Sequence, residues 1–363
     1  MRTRNGWRAG YIERCTSGSE GGSRKPAVAI QQGGGFLPYK STKVLNDSIA
    51  GAQSGKRVLA VDWDHAQGNV TYAFGYTPMN IEHTGYTVMQ GESSLDEAIR
   101  PTYYDPKSGI FFDPHDEQKM NKLRLTSLEE AVRGPDLLPM NPDQCDGAEY
   151  ALIQRGNWGL LFSQMLDEAE DLYDEFHIDT NPDISSVFPK LAVYAATDIV
   201  IPSTPENWSL QGMIMLAQFL MRARTVNERF QIAGVVFSRI RYAAHRDAMR
   251  MTQEEVIPAV NTLFQETRDG YRQGRKLRAA QQLEGLQLQC FKHTVSESKE
   301  YSTQTNIRST VMTSRKRVKG EYVSAIEEWQ CYIELLQRTE GLGVEKAIGH
   351  YNTLVEQYEQ AHI

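Results

Sequence analysis

No stretch of the 363-residue chain approaches the roughly 20 consecutive apolar residues that a membrane-spanning helix requires. Arg2, Arg4 and Arg8 are not followed by the apolar run of a secretion signal. These absences predict a protein that is neither exported nor embedded in a membrane. Cysteine is scarce. Cys15, Cys145, Cys290 and Cys331 lie far apart with no C-x-x-C pair, which argues against a disulfide framework and a zinc site and suits a reducing cytosol. His65, His177, His245 and His293 show no metal-ligand spacing either. Net positive charge is lacking too: 39 Lys and Arg against 46 Asp and Glu give −7, so nucleic-acid binding would need a local basic patch. Internal repeats are absent. Apolar residues are present in ordinary amount, at 40% against 23% charged, which excludes wholesale disorder and supports a sizeable core. The length exceeds what one core usually serves, predicting one large α/β domain or a domain with appendages.

Residues 1–26 combine six Arg and Lys residues with a Ser/Gly-rich stretch from Thr16 to Ser23 and are expected to form a flexible basic tail. From Ala27 the pattern changes. Ala27–Ile30 is a short apolar run ending near Gly33, Gly34 and Gly35; a helical stretch runs from Ser41 to Ser54; Arg57–Asp62 is a second buried strand. Strand, glycine-rich turn, helix and strand make a βαβ unit, so the fold class is α/β, a mostly parallel sheet with helices on both faces. Further strands are expected at 136–139, 175–179, 197–201 and 233–237, with Asp62, Asp179, Pro202 and Ser238 at strand ends, where such sheets bind ligands. Segments 100–127 and 267–289 read as insertions, the first a surface excursion, the second a basic helix. From Glu321 onward Tyr322, Ile326, Trp329, Ile333 and Leu336 recur at helical spacing and predict a core-facing stripe. Glu327, Glu328, Glu334 and Glu340 on the polar face argue against membrane targeting by this helix. Residues 341–363 form a C-terminal helical tail.

Lys40-Ser41-Thr42, after glycines and before a helix, has the parts of a phosphate site: a lysine for terminal phosphates, a hydroxyl for Mg²⁺ and helix-terminal amides for oxygens. Only half of a strict P-loop pattern is present. The next strand and its exit read Gly55-Lys56-Arg57-Val58-Leu59-Ala60-Val61-Asp62-Trp63-Asp64-His65-Ala66-Gln67-Gly68-Asn69. Here the chain resembles the ParA/MinD family of deviant-Walker ATPases, whose lysine-Ser/Thr-Thr helix start is followed by G-K-R-V-L-x-x-D-x-D-P-Q-G-N. Three later stretches agree in order: Asp136–Asn141 with Gly147-Ala148-Glu149, Phe176–Pro182, and Ala195–Pro202 followed by Pro205, Ser209, Leu210 and Gly212. The resemblance spans residues 27 to 340, the expected nucleotide-binding domain.

That resemblance implies a P-loop NTPase-like fold and an ATP- and Mg²⁺-dependent homodimer in the cytoplasm, associated with the nucleoid. Such a dimer binds DNA non-specifically and partitions plasmids or chromosomes with a ParB-like centromere-binding partner. Lys40 matches the phosphate-binding lysine, Ser41 the Mg²⁺ ligand and Thr42 a phosphate contact. Asp62 and Asp64 match the D-x-D pair, Asp62 near Mg²⁺ and Asp64 positioning the attacking water, and Asp179 matches the Walker-B aspartate near Mg²⁺. The glycines Gly33, Gly34 and Gly35 fall in the phosphate loop. Ser296 and Ser298 fall where the family holds the base. No MinD-like basic amphipathic tail is found, which favours ParA.

Departures accompany the match. Gln32 replaces the family's signature lysine, Phe36-Leu37-Pro38-Tyr39 enlarge the loop, and Pro38 offers no N–H to a phosphate. His65 replaces a proline, Ala66 is inserted, and Val295-Ser296-Glu297-Ser298 lacks the family's proline and asparagine. An alternative to the ATPase is therefore a non-hydrolysing ParA-like scaffold or regulator; another is a conjugation or cellulose-synthesis accessory ATPase of the same superfamily. Three basic clusters qualify for phosphate contact: Arg239, Arg241 and Arg246; Arg272, Arg275, Lys276 and Arg278; and Arg315, Lys316, Arg317 and Lys319.

Overall fold

The computed structural model describes residues 27–30, 39–204, 210–297, 308–313, 319–339 and 341–362. The strands are β1 (Ala27–Ile30), β2 (Val58–Trp63), β3 (Arg100–Tyr104), β4 (Phe111–Phe112), β5 (Val132–Leu138), β6 (Glu175–Thr180), β7 (Asp198–Ser203) and β8 (Gln231–Phe237). They form one sheet in the order β4-β3-β5-β2-β6-β1-β7-β8. The run from β5 to β8 is parallel, and β3 and β4 join it antiparallel. The longer helices are α1 (Tyr39–Gln53), α2 (Leu161–Glu168), α3 (Val187–Ala195), α4 (Leu210–Ala223), α5 (Tyr242–Met251), α6 (Ile257–Gln273), α7 (Lys319–Arg338) and α8 (Val344–His362).

Strand periodicity divides the core between the two faces. Leu59, Val61 and Trp63 of β2 and Phe176 and Ile178 of β6 pack with residues of α2, α3, α4 and α6. Ala60 points to the opposite cluster, which contains Val44, Leu45 and Ile49 of α1, Trp329 and Tyr332 of α7, and Leu354 of α8. Asp62, Glu175 and Asp179 share this second face by alternation, placing acidic side chains under α1. The closeness of α1 to the sheet shows at Gly51, where an added Cβ would lie 2.8 Å from a methyl of Val58 and 3.1 Å from the Tyr332 hydroxyl.

Segment 100–127 is not the surface excursion its weak periodicity suggests. Its β3 and β4 extend the sheet, and Phe111 and Phe112 are fully buried. The reason is a contact far along the chain: Gly75, at φ +97°, lets its backbone lie so near β4 that a Cβ would come within 2.6 Å of Phe112 Cα. The expected basic helix in 267–289 is the end of α6, a turn at Gly274, and a short helix, Leu277–Gln282. At the other edge, Cys290 pairs with Val235 and Ser296 with Ile240, so residues 290–296 run parallel to β8 and past its end.

Candidate nucleotide site

Register aligns the site. Ile30 and Asp62 both stand opposite Asp179 on the central strand β6, so the ends of β1, β2 and β6 are level at the carboxyl edge of the sheet. The first turn of α1 rests on them. Lys40 is buried, its Nζ 3.3 Å from Asp179 Oδ1 and 3.9 Å from Asp64 Oδ2. The Ser41 hydroxyl donates to Asp179 Oδ2 at 2.5 Å. Lys40, Ser41, Asp64 and Asp179, proposed from three separate motifs, thus converge on one point.

The three aspartates differ in their surroundings. Asp62, expected near the metal, turns Oδ2 to Thr71, accepting its backbone N–H at 2.8 Å and its hydroxyl at 2.7 Å. Its carboxylate therefore anchors the following short helix (Asn69–Ala73). Full burial, then the nearby Asp179 charge, raises its pKa to about 7. Asp64 Oδ1 accepts from Ala66 N–H at 3.1 Å and from the Asn181 amide at 3.2 Å. The inserted Ala66 is thereby absorbed into a turn closed by Asp64. Burial also raises the pKa of Asp179, while Lys40 opposes that shift.

Next to Asp64, His65 stacks on Phe188, with ring centroids 4.4 Å apart. Burial lowers its pKa. Glu149 reaches the same corner: it accepts from Val187 N–H at 3.0 Å and from the Ser186 hydroxyl, and lies 4.0 Å from His65 Nε2. Trp63 completes the wall, donating to Phe188 O at 3.1 Å and stacking on Phe162.

Gly33, Gly34, Gly35, Ser298, Arg315, Lys316 and Arg317 lie outside the described residues, as do Gln32 and Pro38. Thr42 is half-buried on α1. Ser296, expected at the base, is half-buried, and its N–H and hydroxyl both donate to Glu327, each at 2.7 Å. Arg272, Arg275, Lys276 and Arg278 are all exposed around the turn after α6, with acidic contacts at 3.4–3.5 Å only for Arg272 and Arg278. Arg239 and Arg241 are instead paired with Glu297.

Sequence reading missed a second polar cluster beneath α1. Glu328 Oε1 of α7 accepts from the Tyr39 hydroxyl at 2.7 Å and from the Asn46 amide at 2.8 Å. Lys43, fully buried, pairs with Asp47 and stands 3.9 Å from Glu328 Oε2. The sequence signal was an acidic residue beside Trp329 in an apolar stripe, which helical spacing alone assigned to a polar face.

The donor set suits a phosphate and a hard cation. Lys40 Nζ and Asp179 Oδ1 are buried without an aligned hydrogen-bond partner. One lysine among the carboxylates of Asp62, Asp64 and Asp179 leaves an excess of acidic groups. Among the described residues no group of three or more His, Cys, Asp or Glu side chains is arranged to hold a metal.

A lysine-led helix start facing acidic strand ends at one carboxyl edge defines a P-loop NTPase-type α/β protein. The model of the AAA_31 family, an AAA domain, matches residues 24–232, more than half of the chain. The chain belongs to this family, as a ParA/MinD-type P-loop ATPase. It is similar to the chromosome-partitioning ATPase Soj of Treponema pallidum, 25% identical over 241 residues, covering 66% of this chain and 79% of the relative. Solved structures share the fold. A putative plasmid partition protein of Borrelia burgdorferi bound to AMPPNP gives a TM-score of 0.51 at 16% identity, covering 86% of this chain and 98% of that one. Cobyrinic acid a,c-diamide synthase of Mycobacterium smegmatis, with a bound ATP analogue and magnesium, also gives 0.51, at 21% identity, covering 64% and 82%. No described helix is long and apolar enough to cross a membrane.

Proposed function

We propose that the chain is a Mg²⁺-dependent ATPase that dimerises on nucleotide, binds DNA without sequence preference and works with a ParB-like partner in DNA partition at the nucleoid. The observation that carries this reading is the convergence of Lys40, Ser41, Asp64 and Asp179, with the buried Lys40 ammonium 3.3 Å from Asp179. Lys40 and the first-turn amides of α1 bind the terminal phosphates, where a fixed cation and helix-end donors favour anions. Ser41 and Asp179 hold Mg²⁺, directly or through water. A Mg²⁺ ion held there would supply charge neutralisation at the phosphate oxygens. Asp64, fixed by Asn181 and Ala66, orients the attacking water and accepts its proton. The exposed Arg272, Arg275, Lys276 and Arg278 meet DNA phosphates; Arg315, Lys316 and Arg317 are assigned the same role from their sequence.

A non-hydrolysing scaffold is the second reading, favoured by Gln32, which cannot supply the charge of the lysine it replaces. MgATP turnover by the purified chain, with and without plasmid DNA, separates the two. Turnover lost in Lys40→Ala supports the ATPase. Nucleotide binding by the wild type with no turnover in any condition supports the scaffold.

A further inference from the structure

α7 carries two adjacent carboxylates that serve different walls. Glu328 is fully buried and takes the hydroxyl of Tyr39, the first residue of α1, immediately before Lys40. Glu327 takes both the N–H and the hydroxyl of Ser296, on the segment that passes the end of β8. The acids are neighbours on one helix, yet their contacts lie on opposite sides of β7 and β8. From β1 to Ser296 the carboxyl edge crosses three strand spacings, about 14 Å at ~4.8 Å each, close to the reach of a nucleotide from phosphate to base. In the other direction from Lys40, Asp64, Asn181 and the 64–68 turn occupy the edge. A nucleotide whose phosphates sit at Lys40 therefore extends towards Ser296.

α7 is tied to the sheet below these two residues. Tyr332 donates to Glu175 Oε2 at 2.9 Å, Glu334 accepts from Lys292 and His293 N–H groups, and Arg338 donates to Ala233 O at 2.8 Å. Glu327 and Glu328 thus project from a braced support.

We propose that Glu327 and Glu328 are positioning residues that fix the distance between the two walls of the nucleotide cleft, Glu328 through Tyr39 on the phosphate side and Glu327 through Ser296 on the base side. The proposal rests on the reading of this site as a nucleotide site. It predicts that the two acids act on different parts of the ligand. Binding of MgADP and of magnesium pyrophosphate, which has no base, is measured by calorimetry on the full chain. Tyr39→Phe weakens both ligands about fivefold, the scale of one hydrogen bond. Glu327→Ala, which leaves no group to meet Ser296, weakens MgADP by a similar factor and leaves pyrophosphate unchanged. The double variant Tyr39→Phe/Glu328→Leu is no weaker than Glu328→Leu alone, because both single changes remove the same contact. Thermal unfolding of each unliganded variant confirms that it is folded. Equal losses for both ligands in Glu327→Ala, or wild-type affinity in Tyr39→Phe, overturn the proposal while the nucleotide reading stands. A wild-type chain that binds neither ligand overturns both.

Discussion

Lys40 holds its ammonium between two buried carboxylates, so its removal affects more than one contact. Lys40→Ala deletes the only lysine among those acids in the described residues and leaves Asp64 and Asp179 repelling each other in a site of low polarisability. MgATP affinity should fall at least 100-fold, measured by calorimetry; unchanged affinity would place the phosphate site elsewhere. Asp64→Ala should behave differently. Asp64 touches its own turn and Asn181 and stands 3.9 Å from Lys40, so its loss leaves the closer Lys40–Asp179 pair in place. The variant should bind MgATP within a few-fold of wild type while single-turnover hydrolysis drops by a factor of roughly 100 or more. A distant aspartate gives a pH test independent of the nucleotide. Asp198, buried at the start of β7, has its pKa raised to about 6 by burial, and its Oδ2 accepts the Thr197 hydroxyl. A raised folded-state pKa means that Asp198 favours folding when protonated and that this contribution is lost as pH rises from about 4 through 6. Asp198→Asn, which keeps an acceptor, should gain stability over wild type by ~1 kcal/mol per pH unit in that window. Urea midpoints that shift equally at pH 4 and pH 7 would show that Asp198 does not titrate in this way.

At the scale of elements, the parallel strands were legible because continuous apolar runs bounded by polar strand ends suffice to mark buried parallel strands. β6 and β7 fall almost where the runs place them. What was not legible depended on partners distant in sequence. β3 and β4 are short and antiparallel, and their burial comes from Gly75 and from Arg308, whose carbonyl accepts the Phe111 N–H at 2.7 Å. No local period encodes such contacts. For the same reason Gly75→Ala should be costly: φ is +97° and Phe112 backbone atoms stand 2.6 Å from the new Cβ. A loss of roughly 3 kcal/mol is expected in urea unfolding, and a loss below 1 kcal/mol would mean that β4 moves aside freely. The seam between α1 and α7 was illegible in another sense, because periodicity separates apolar from polar but cannot tell a solvated Glu328 from a buried one.

Over the whole molecule, a net charge of −7 opposes DNA, so binding must be local and sensitive to salt. Neutralising Arg272, Arg275, Lys276 and Arg278 together should reduce both DNA affinity and the slope of log K against log salt by about 3 to 4. An unchanged slope would assign binding to another cluster. The sheet order has a further consequence, for biosynthesis. β1 is made first, yet its partners are β6 and β7, with Ala27 opposite Phe176 and Val28 opposite Asp198. At ~5–20 residues per second the ribosome needs on the order of 10–30 s to supply β6 after β1 emerges. Throughout that interval Lys40 is in the nascent chain without Asp179, its counter-charge. Nucleotide therefore cannot template the early fold. It can bind only a chain whose central strands have already closed, so nucleotide retention on stalled ribosomes would mark the moment when translation passes β6.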